Sequence, residues 1–394
     1  MNFERPIVRS LRAMLSRPTP VIHVLIGPRQ VGKTTIARQI EDSLAFPVLY
    51  ATADSPLPPD AAWIETQWRR ATAAASPSAG PVLLILDEVQ KVRGWSEMVK
   101  FHWDARPKKT EIRVLILGSS AMLMQEGLTE SLAGRFFLHR CPHWTFSESR
   151  DAFGWDLNQW LFFGGYPGGA SFITEEVNWK RYITDSLIET VLARDVLQMT
   201  KIIKPALLRH LFTLAATMPA QIVSYTKMVG QLQDAGNTTT LAHYLKLLES
   251  AFLVSGLEVF SLGFQRKRGS SPKLILWNNA LVNALSTQTL KESLTDPVWW
   301  GRLVENAVGG HLCNHLNSVE YTLAYWRDRS QEVDFVIFRG KDVWAIEVKS
   351  GRSGKNTGLQ LFRQRYPKAK TLIVGGTGIP LEEFFSREPK DFFS

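Results

Sequence analysis

Val21-Ile22-His23-Val24-Leu25-Ile26-Gly27-Pro28-Arg29-Gln30-Val31-Gly32-Lys33-Thr34-Thr35 decides how the N-terminal part of this chain is read. Val21 to Ile26 is a short, largely apolar, β-branched run, the composition of an interior strand. Gly27 to Thr34 then satisfies G-x-x-x-x-G-K-[ST], and the apolar spacing from Thr34 to Leu44 predicts an amphipathic helix. Strand, glycine-rich loop and helix start in that order make a phosphate cradle. The glycines permit a tight loop whose N–H groups face phosphate oxygens, Lys33 supplies a point charge near the β- and γ-phosphates, and the Thr34 hydroxyl can ligate Mg2+. Gly27, Pro28, Arg29, Gln30, Val31, Gly32, Lys33, Thr34 and Thr35 are the expected nucleotide contacts. A purely structural glycine turn is the weaker alternative, because both flanking elements that the motif requires are in place.

Outward from the cradle the pattern alternates. Val48 to Tyr50, Val82 to Leu86 and Val114 to Leu117 read as buried parallel strands, Ala61 to Ala74 as a helix, and Ala51 to Asp60 and Ala75 to Pro81 as loops, which is α/β rhythm. The strand Val82 to Leu86 ends in Asp87 and Glu88, placing Asp87 near a metal ion and Glu88 where a base could activate water. Acids at a strand end often only solvate a loop; beside the cradle, the catalytic reading prevails. Cradle, Asp87-Glu88 and a further strand ending in Gly118-Ser119-Ser120 resemble an AAA-type ATPase. The resemblance implies ATP and Mg2+ as ligands and a γ-phosphate sensor at Ser119 or Ser120, with Ser119 preferred. It also implies a catalytic arginine, Arg135 in Leu132-Ala133-Gly134-Arg135-Phe136, presented to a neighbour's nucleotide in an ATP-dependent homo-oligomer. An ordinary surface arginine is the alternative for Arg135.

A glycine-rich break, Gly164 to Gly169, follows, so the expected organisation is an ATPase domain over residues 1–165 and a helical connector over 166–204. Helical patterns at Ala206 to Thr217, Ser224 to Gln233 and Thr239 to Val254, then strand-like Leu257 to Phe260 and Lys273 to Trp277 around a basic tip, resemble a winged helix over 205–280. Thr239, His243 and Lys246 would face outward from its last helix, and Arg266, Lys267, Arg268 and Lys273 would reach phosphates of double-stranded DNA from the wing. Use of the same module to dock a protein partner is the competing reading.

The segment 281–394 reads as a second α/β unit: a helix around Arg302 to Leu316, strands at Tyr321 to Trp326, Val333 to Phe338 and Val343 to Val348, a helix near Leu359 to Arg365, and a strand Thr371 to Val374. Strand alternation sets Glu347 beside Lys349, and a hairpin would bring Asp334 to that pair, with Glu305 adding an acid from the helix. Carboxylates suit Mg2+, and a nearby ammonium can hold the water that attacks a phosphodiester. These spacings resemble the restriction-endonuclease-like superfamily, whose core is an Asp followed by Glu-x-Lys on the next strand. A cross-strand Glu–Lys pair is the plainer explanation of the same residues. Taken with the cradle, nearly the whole chain resembles a bacterial and archaeal family of AAA-type ATPases with a C-terminal domain of unknown function bearing nuclease-like motifs.

Composition bounds the rest. The 394 residues, 45% hydrophobic and 21% charged, suit two or three folded domains and exclude general disorder. Lys+Arg 46 against Asp+Glu 37 gives a net charge of +9, which fits a polyanionic partner without requiring one. Two distant cysteines offer neither a disulfide framework nor a thiolate zinc site, and no apolar run has the length of a membrane span; a cytoplasmic protein with no membrane partner is expected. Two functions are open: an ATPase coupled to DNA binding and to cleavage by the C-terminal domain, or an ATP-driven switch on a protein partner whose nuclease-like part is a non-cleaving scaffold.

Overall fold

The structure is a computed structural model that describes residues 3–393, apart from 19, 57–58, 76–79, 108–110, 120–123, 125–127, 129–130, 197–201, 203, 233–236, 262–270 and 352–356. It divides into two compact units, Met1–Pro142 and His143–Ser394. Among the described residues no helix is long and apolar enough to cross a membrane.

The first unit is built on β1 (Ile22–Ile26), β2 (Val48–Thr52), β3 (Val82–Asp87), β4 (Ile112–Gly118) and β5 (Phe136–Arg140), all parallel, in the order β2-β3-β4-β1-β5. Every residue of β1, β3 and β4 is buried, His23 and Arg113 included, as largely apolar runs predict for strands covered on both faces. Each buried Val, Leu or Ile contributes about 1.5–3 kcal/mol, so these three strands carry the core. The edge strands β2 and β5 are only partly covered. Ile26 pairs with Gly118, and Asp87 with Leu117, so β1, β3 and β4 end level with one another. That register brings the residues after each strand to one rim of the sheet.

The second unit begins earlier than expected. The helices Phe146–Phe153 and Leu157–Phe163, each opened by a capping box, belong to it and not to the first unit, whose boundary lies at 142, not at 165. The reason is local. Leu157–Phe163 buries Trp160, Leu161, Phe162 and Phe163, and its end is bonded to the segment 279–283: Asn279 Nδ2 donates to Leu161 O at 2.7 Å and Asn283 Nδ2 to Phe162 O at 2.7 Å. The segments expected as separate connector, winged-helix and nuclease-like parts form, with residues 143–165, this one compact unit.

Within it the helices Pro205–Thr217, Tyr225–Gln231 and Thr238–Ser250 precede an antiparallel pair, β6 (Val254–Leu257) and β7 (Lys273–Leu276). The last helix was expected to run to Val254 and the strand to start at Leu257. It stops instead at Ser250, because Phe252 adopts a left-handed φ of 59° that ends the helix and releases Val254 into β6. Next come the helix Pro297–His315, then β8 (Thr322–Asp328), β9 (Gln331–Arg339) and β10 (Asp342–Lys349), the helix Thr357–Arg365 and β11 (Lys370–Gly375). The sheet order is β11-β10-β9-β8, antiparallel except that β11 runs parallel to β10. Phe260, Trp326, Val333, Val336 and Phe362 form the apolar cluster on one of its faces.

Candidate active site

The cradle residues lie where β1 meets the helix Lys33–Ser43. Gly27 is required by a close approach: a Cβ there would stand 2.1 Å from the Cys141 carbonyl oxygen, and Cys141 N donates to Ile26 O at 2.7 Å just beside it. Gly32 has φ 95°, a conformation open to glycine, and caps the helix without any side-chain bond to the first turn. An uncapped helix start behind a left-handed loop is an anion site in waiting. Arg5, which sequence reasoning missed, lies buried beneath the loop: its Nη1 donates to Val31 O at 3.1 Å and to Cys141 Sγ at 3.2 Å, and its Nη2 to Pro142 O at 3.1 Å. Its distance in sequence from the motif hid it.

Lys33 is buried, and its ammonium donates to Gly27 O at 2.9 Å and Pro28 O at 2.6 Å. Burial lowers its pKa, against the opposing pull of neighbouring groups that include Glu88 and Asp87. Thr34 and Thr35 are exposed at the helix start. Thr34 Oγ1 donates to Asp87 Oδ2 at 3.0 Å, so the two groups expected to share a cation already touch. The same Asp87 oxygen receives the Tyr50 hydroxyl at 2.6 Å, a contact from the middle of β2 that no motif announced. Burial and then the Asp87 carboxylate raise the Tyr50 pKa, so it stays a donor. Glu88 follows in a left-handed conformation, φ 53°, and its Oε2 accepts Ser119 Oγ at 3.0 Å and Gln90 Nε2 at 2.6 Å. The sheet thus gathers Lys33, Thr34, Asp87, Glu88 and Ser119 on one rim; Ser120 lies outside the described residues. These residues fit a nucleotide with its Mg2+: loop N–H groups and an ammonium for phosphates, a hydroxyl and a carboxylate for the ion.

Arg135 is not on that rim. It precedes β5, whose first residue pairs with Ile22 at the start of β1, so about 13 Å of strand separates it from the cradle. Asp104 holds its guanidinium through two bonds of 2.8 and 3.0 Å.

In the second unit β9 and β10 pair with Phe335 opposite Ile346, which sets Asp334 beside Glu347 as the expected hairpin requires; Asp334 Oδ2 accepts Val348 N at 2.8 Å. Lys349 Nζ lies 2.6 Å from Glu347 Oε1, while Glu347 Oε2 is buried with no hydrogen-bond partner. Burial, then Asp334, raise the Glu347 pKa. Carboxylate oxygens of Glu305, Glu332 and Asp334 lie within 4.8 Å of one another; sequence reasoning set Glu305 and Asp334 with Glu347 and Lys349 and missed Glu332.

Lys273 corrects the sequence reading. Expected at a wing surface, it is fully buried, with its ammonium 2.5 Å from Glu305 Oε1, 3.0 Å from Glu332 Oε1 and 3.5 Å from Asp334 Oδ1. All four residues of β7 are buried, so no alternation turns Lys273 outward, and three acids draw it in. It does not reach phosphates. Thr239, His243 and Lys246 are exposed on the helix Thr238–Ser250 while Leu241, Leu245, Leu247 and Leu248 are buried, as the pattern predicts. Arg266, Lys267 and Arg268 lie outside the described residues.

Residues 19–149 match the family described as an AAA domain, and residues 154–292 and 300–383 match two domains of unknown function, DUF8612 and DUF4143. Uncharacterized proteins of Mycobacterium bovis and Mycobacterium tuberculosis are each 30% identical over 283 residues, 71% of this chain and 59% of theirs. The chain thus spans 59% of the length of these curated relatives. A Walker-type ATPase of Pyrococcus abyssi is similar in structure at 14% identity and TM-score 0.48, over 72% of this chain and 95% of that one. With its parallel sheet and its cradle, the segment 19–149 is an AAA-type P-loop domain of the kind that binds ATP.

Proposed function

We propose that the chain is a Mg2+-dependent ATPase whose nucleotide cycle controls a DNA-holding C-terminal unit. The observation that carries the hydrolytic part is the contact of Thr34 with Asp87 at 3.0 Å, with Glu88 held next to it by Ser119 at 3.0 Å. On this reading Lys33 neutralises charge at the β- and γ-phosphates, and Thr34 and Asp87 hold Mg2+, which offsets the charge on the transferring phosphoryl group. Glu88 takes a proton from the attacking water, and Ser119 fixes the carboxylate that does so. Arg135, at the far end of β5 from its own cradle, belongs to this reading as a group offered to a neighbour in an ATP-dependent homo-oligomer. A cytoplasmic setting fits the two cysteines, which form no disulfide among the described residues.

Three helices followed by an antiparallel pair support the winged-helix reading of the second unit. The order helix, three antiparallel strands, helix and a parallel strand supports its nuclease-like reading. Exposed Thr239, His243 and Lys246, with Arg266, Lys267 and Arg268 on the tip, would meet the DNA backbone. The second reading, a switch on a protein partner with a non-cleaving scaffold, is favoured by one observation: Lys273 already engages the carboxylates that cleavage would use.

The test is ATP hydrolysis with and without linear duplex DNA, with the DNA from the same tubes run on a gel and Asp334→Ala in parallel. Stimulation by DNA that weakens steeply with salt, and falls when Arg266, Lys267 and Arg268 are neutralised, is the expected result. Cutting that depends on Asp334 would make the second unit a nuclease; hydrolysis indifferent to DNA would move the reading to the protein switch.

A further inference from the structure

The carboxylate cluster of the second unit already holds a cation. Lys273, the first residue of β7, has no exposed surface, and its ammonium lies among oxygens from two further elements: Glu305 from the helix Pro297–His315, and Glu332 with Asp334 from β9. It also donates to the Asp334 carbonyl oxygen at 3.1 Å. An ammonium has three protons, and Glu305, Glu332 and the Asp334 carbonyl use them. The Phe335 ring, with its centroid 5.0 Å from the ammonium, closes the site on another side.

This arrangement does not suit the metal that a nuclease-like sheet implies. Mg2+ needs oxygens at about 2.0–2.1 Å in a near-octahedral shell and keeps several waters. A buried ammonium in the middle of the same oxygens takes that place and repels a second cation. The buried carboxylate oxygen that lacks a partner among the described residues, Glu347 Oε2, is no part of the Glu305–Glu332–Asp334 grouping.

We propose that the Lys273 ammonium is the resident cation of the Glu305–Glu332–Asp334 cluster, and that the cluster accepts a divalent ion only when this ammonium is removed. The proposal rests on the nuclease-like reading only in naming what the lysine replaces. Its chemistry is a substitution of one positive group for another: the same carboxylates stay in place, held by a side chain instead of an ion. Lys273 thereby fastens the β6–β7 pair to β9 and to the helix Pro297–His315.

The experiment uses the full chain without nucleotide, in an Asp87→Asn background that removes the other expected metal ligand. Mn2+ binding is followed by electron paramagnetic resonance, together with thermal unfolding with and without Mn2+. Without further change the protein is expected to bind no Mn2+ that Glu305→Gln, Glu332→Gln or Asp334→Asn abolishes. Lys273→Met is expected to unfold at lower temperature and to gain one Mn2+ per chain, at least ~10-fold tighter than before, with unfolding moved back up by the ion. If Lys273→Met does not fold, Lys273→Met with Glu305→Gln leaves Glu332 and Asp334 for the same measurement, with the same gain expected.

Mn2+ bound beside an intact Lys273 and lost in both Glu305→Gln and Glu332→Gln would overturn the proposal, as would a folded Lys273→Met chain that binds none. Gel assays keep the two readings apart. Cutting that depends on Asp334 while Lys273 is intact would uphold the nuclease and defeat this inference, whereas failure of Lys273→Met to gain an ion defeats this inference alone.

Discussion

One oxygen of Asp87 receives two hydroxyls, Thr34 from the cradle helix and Tyr50 from the middle of β2, and Arg38 covers the Tyr50 ring at 3.8 Å. Thr34 was legible because the motif names it; Tyr50 was not, because a residue brought in by strand order leaves no local spacing to read. A net hydrogen bond is worth about 0.5–1.5 kcal/mol, so Tyr50→Phe should raise the Mg2+ needed for half-maximal hydrolysis about 2–10-fold with kcat little changed. A fall in kcat at unchanged Mg2+ demand would contradict this positioning role. Glu305 supplies a pH prediction. Burial pushes its pKa up to about 8, although Lys273 pulls the other way. The folded state then binds a proton more tightly than the unfolded one. This contribution to stability is full below the ordinary carboxylate range and is lost as pH rises through about 8. Glu305→Gln should flatten the decline of unfolding temperature between pH 5 and 9; an unchanged slope would show that another group titrates there.

The interior strands were legible as largely apolar runs, and β1, β3 and β4 contain them, β4 starting two residues earlier, at Ile112, with Arg113 buried inside it. β5 was not: Phe136 to Arg140 mixes apolar and basic residues, since an edge strand is covered on fewer sides. β7 was found but misjudged, because in a four-residue strand buried throughout the inward and outward positions cannot be told apart by alternation. At the junction of β1 and β5, Gly27→Ala would force its Cβ into the Cys141 carbonyl, 2.1 Å away, and backbone cannot give as a side chain can. Overpacking of this kind costs about 1–3 kcal/mol. The unfolding temperature should fall and ATP binding with it, while an unchanged temperature and affinity would mean that β5 yields freely at its end.

Across the whole molecule the sequence announced two α/β sheets with helices between them, and both are present. The sequence divides the chain at the conspicuous glycine-rich break at 164–169, whereas the compact units meet at 142, where Trp160, Phe162 and Phe163 are buried with the second unit. Composition is silent on that partnership; tertiary packing decides it. Of the candidate residues, those of the cradle and the strand ends were readable since a phosphate demands a fixed local geometry. The role of Lys273 was hidden because its partners lie on two other elements. The central claim, that the rim of the first sheet hydrolyses ATP, is tested most directly by measuring nucleotide binding and phosphate release on the same preparations of wild type, Lys33→Ala and Glu88→Gln with Mg2+. Lys33→Ala should lose binding, and Glu88→Gln should bind as wild type does while releasing phosphate about 10²–10⁴-fold more slowly. Equal loss of binding in both variants, or undiminished hydrolysis in Glu88→Gln, would contradict the account.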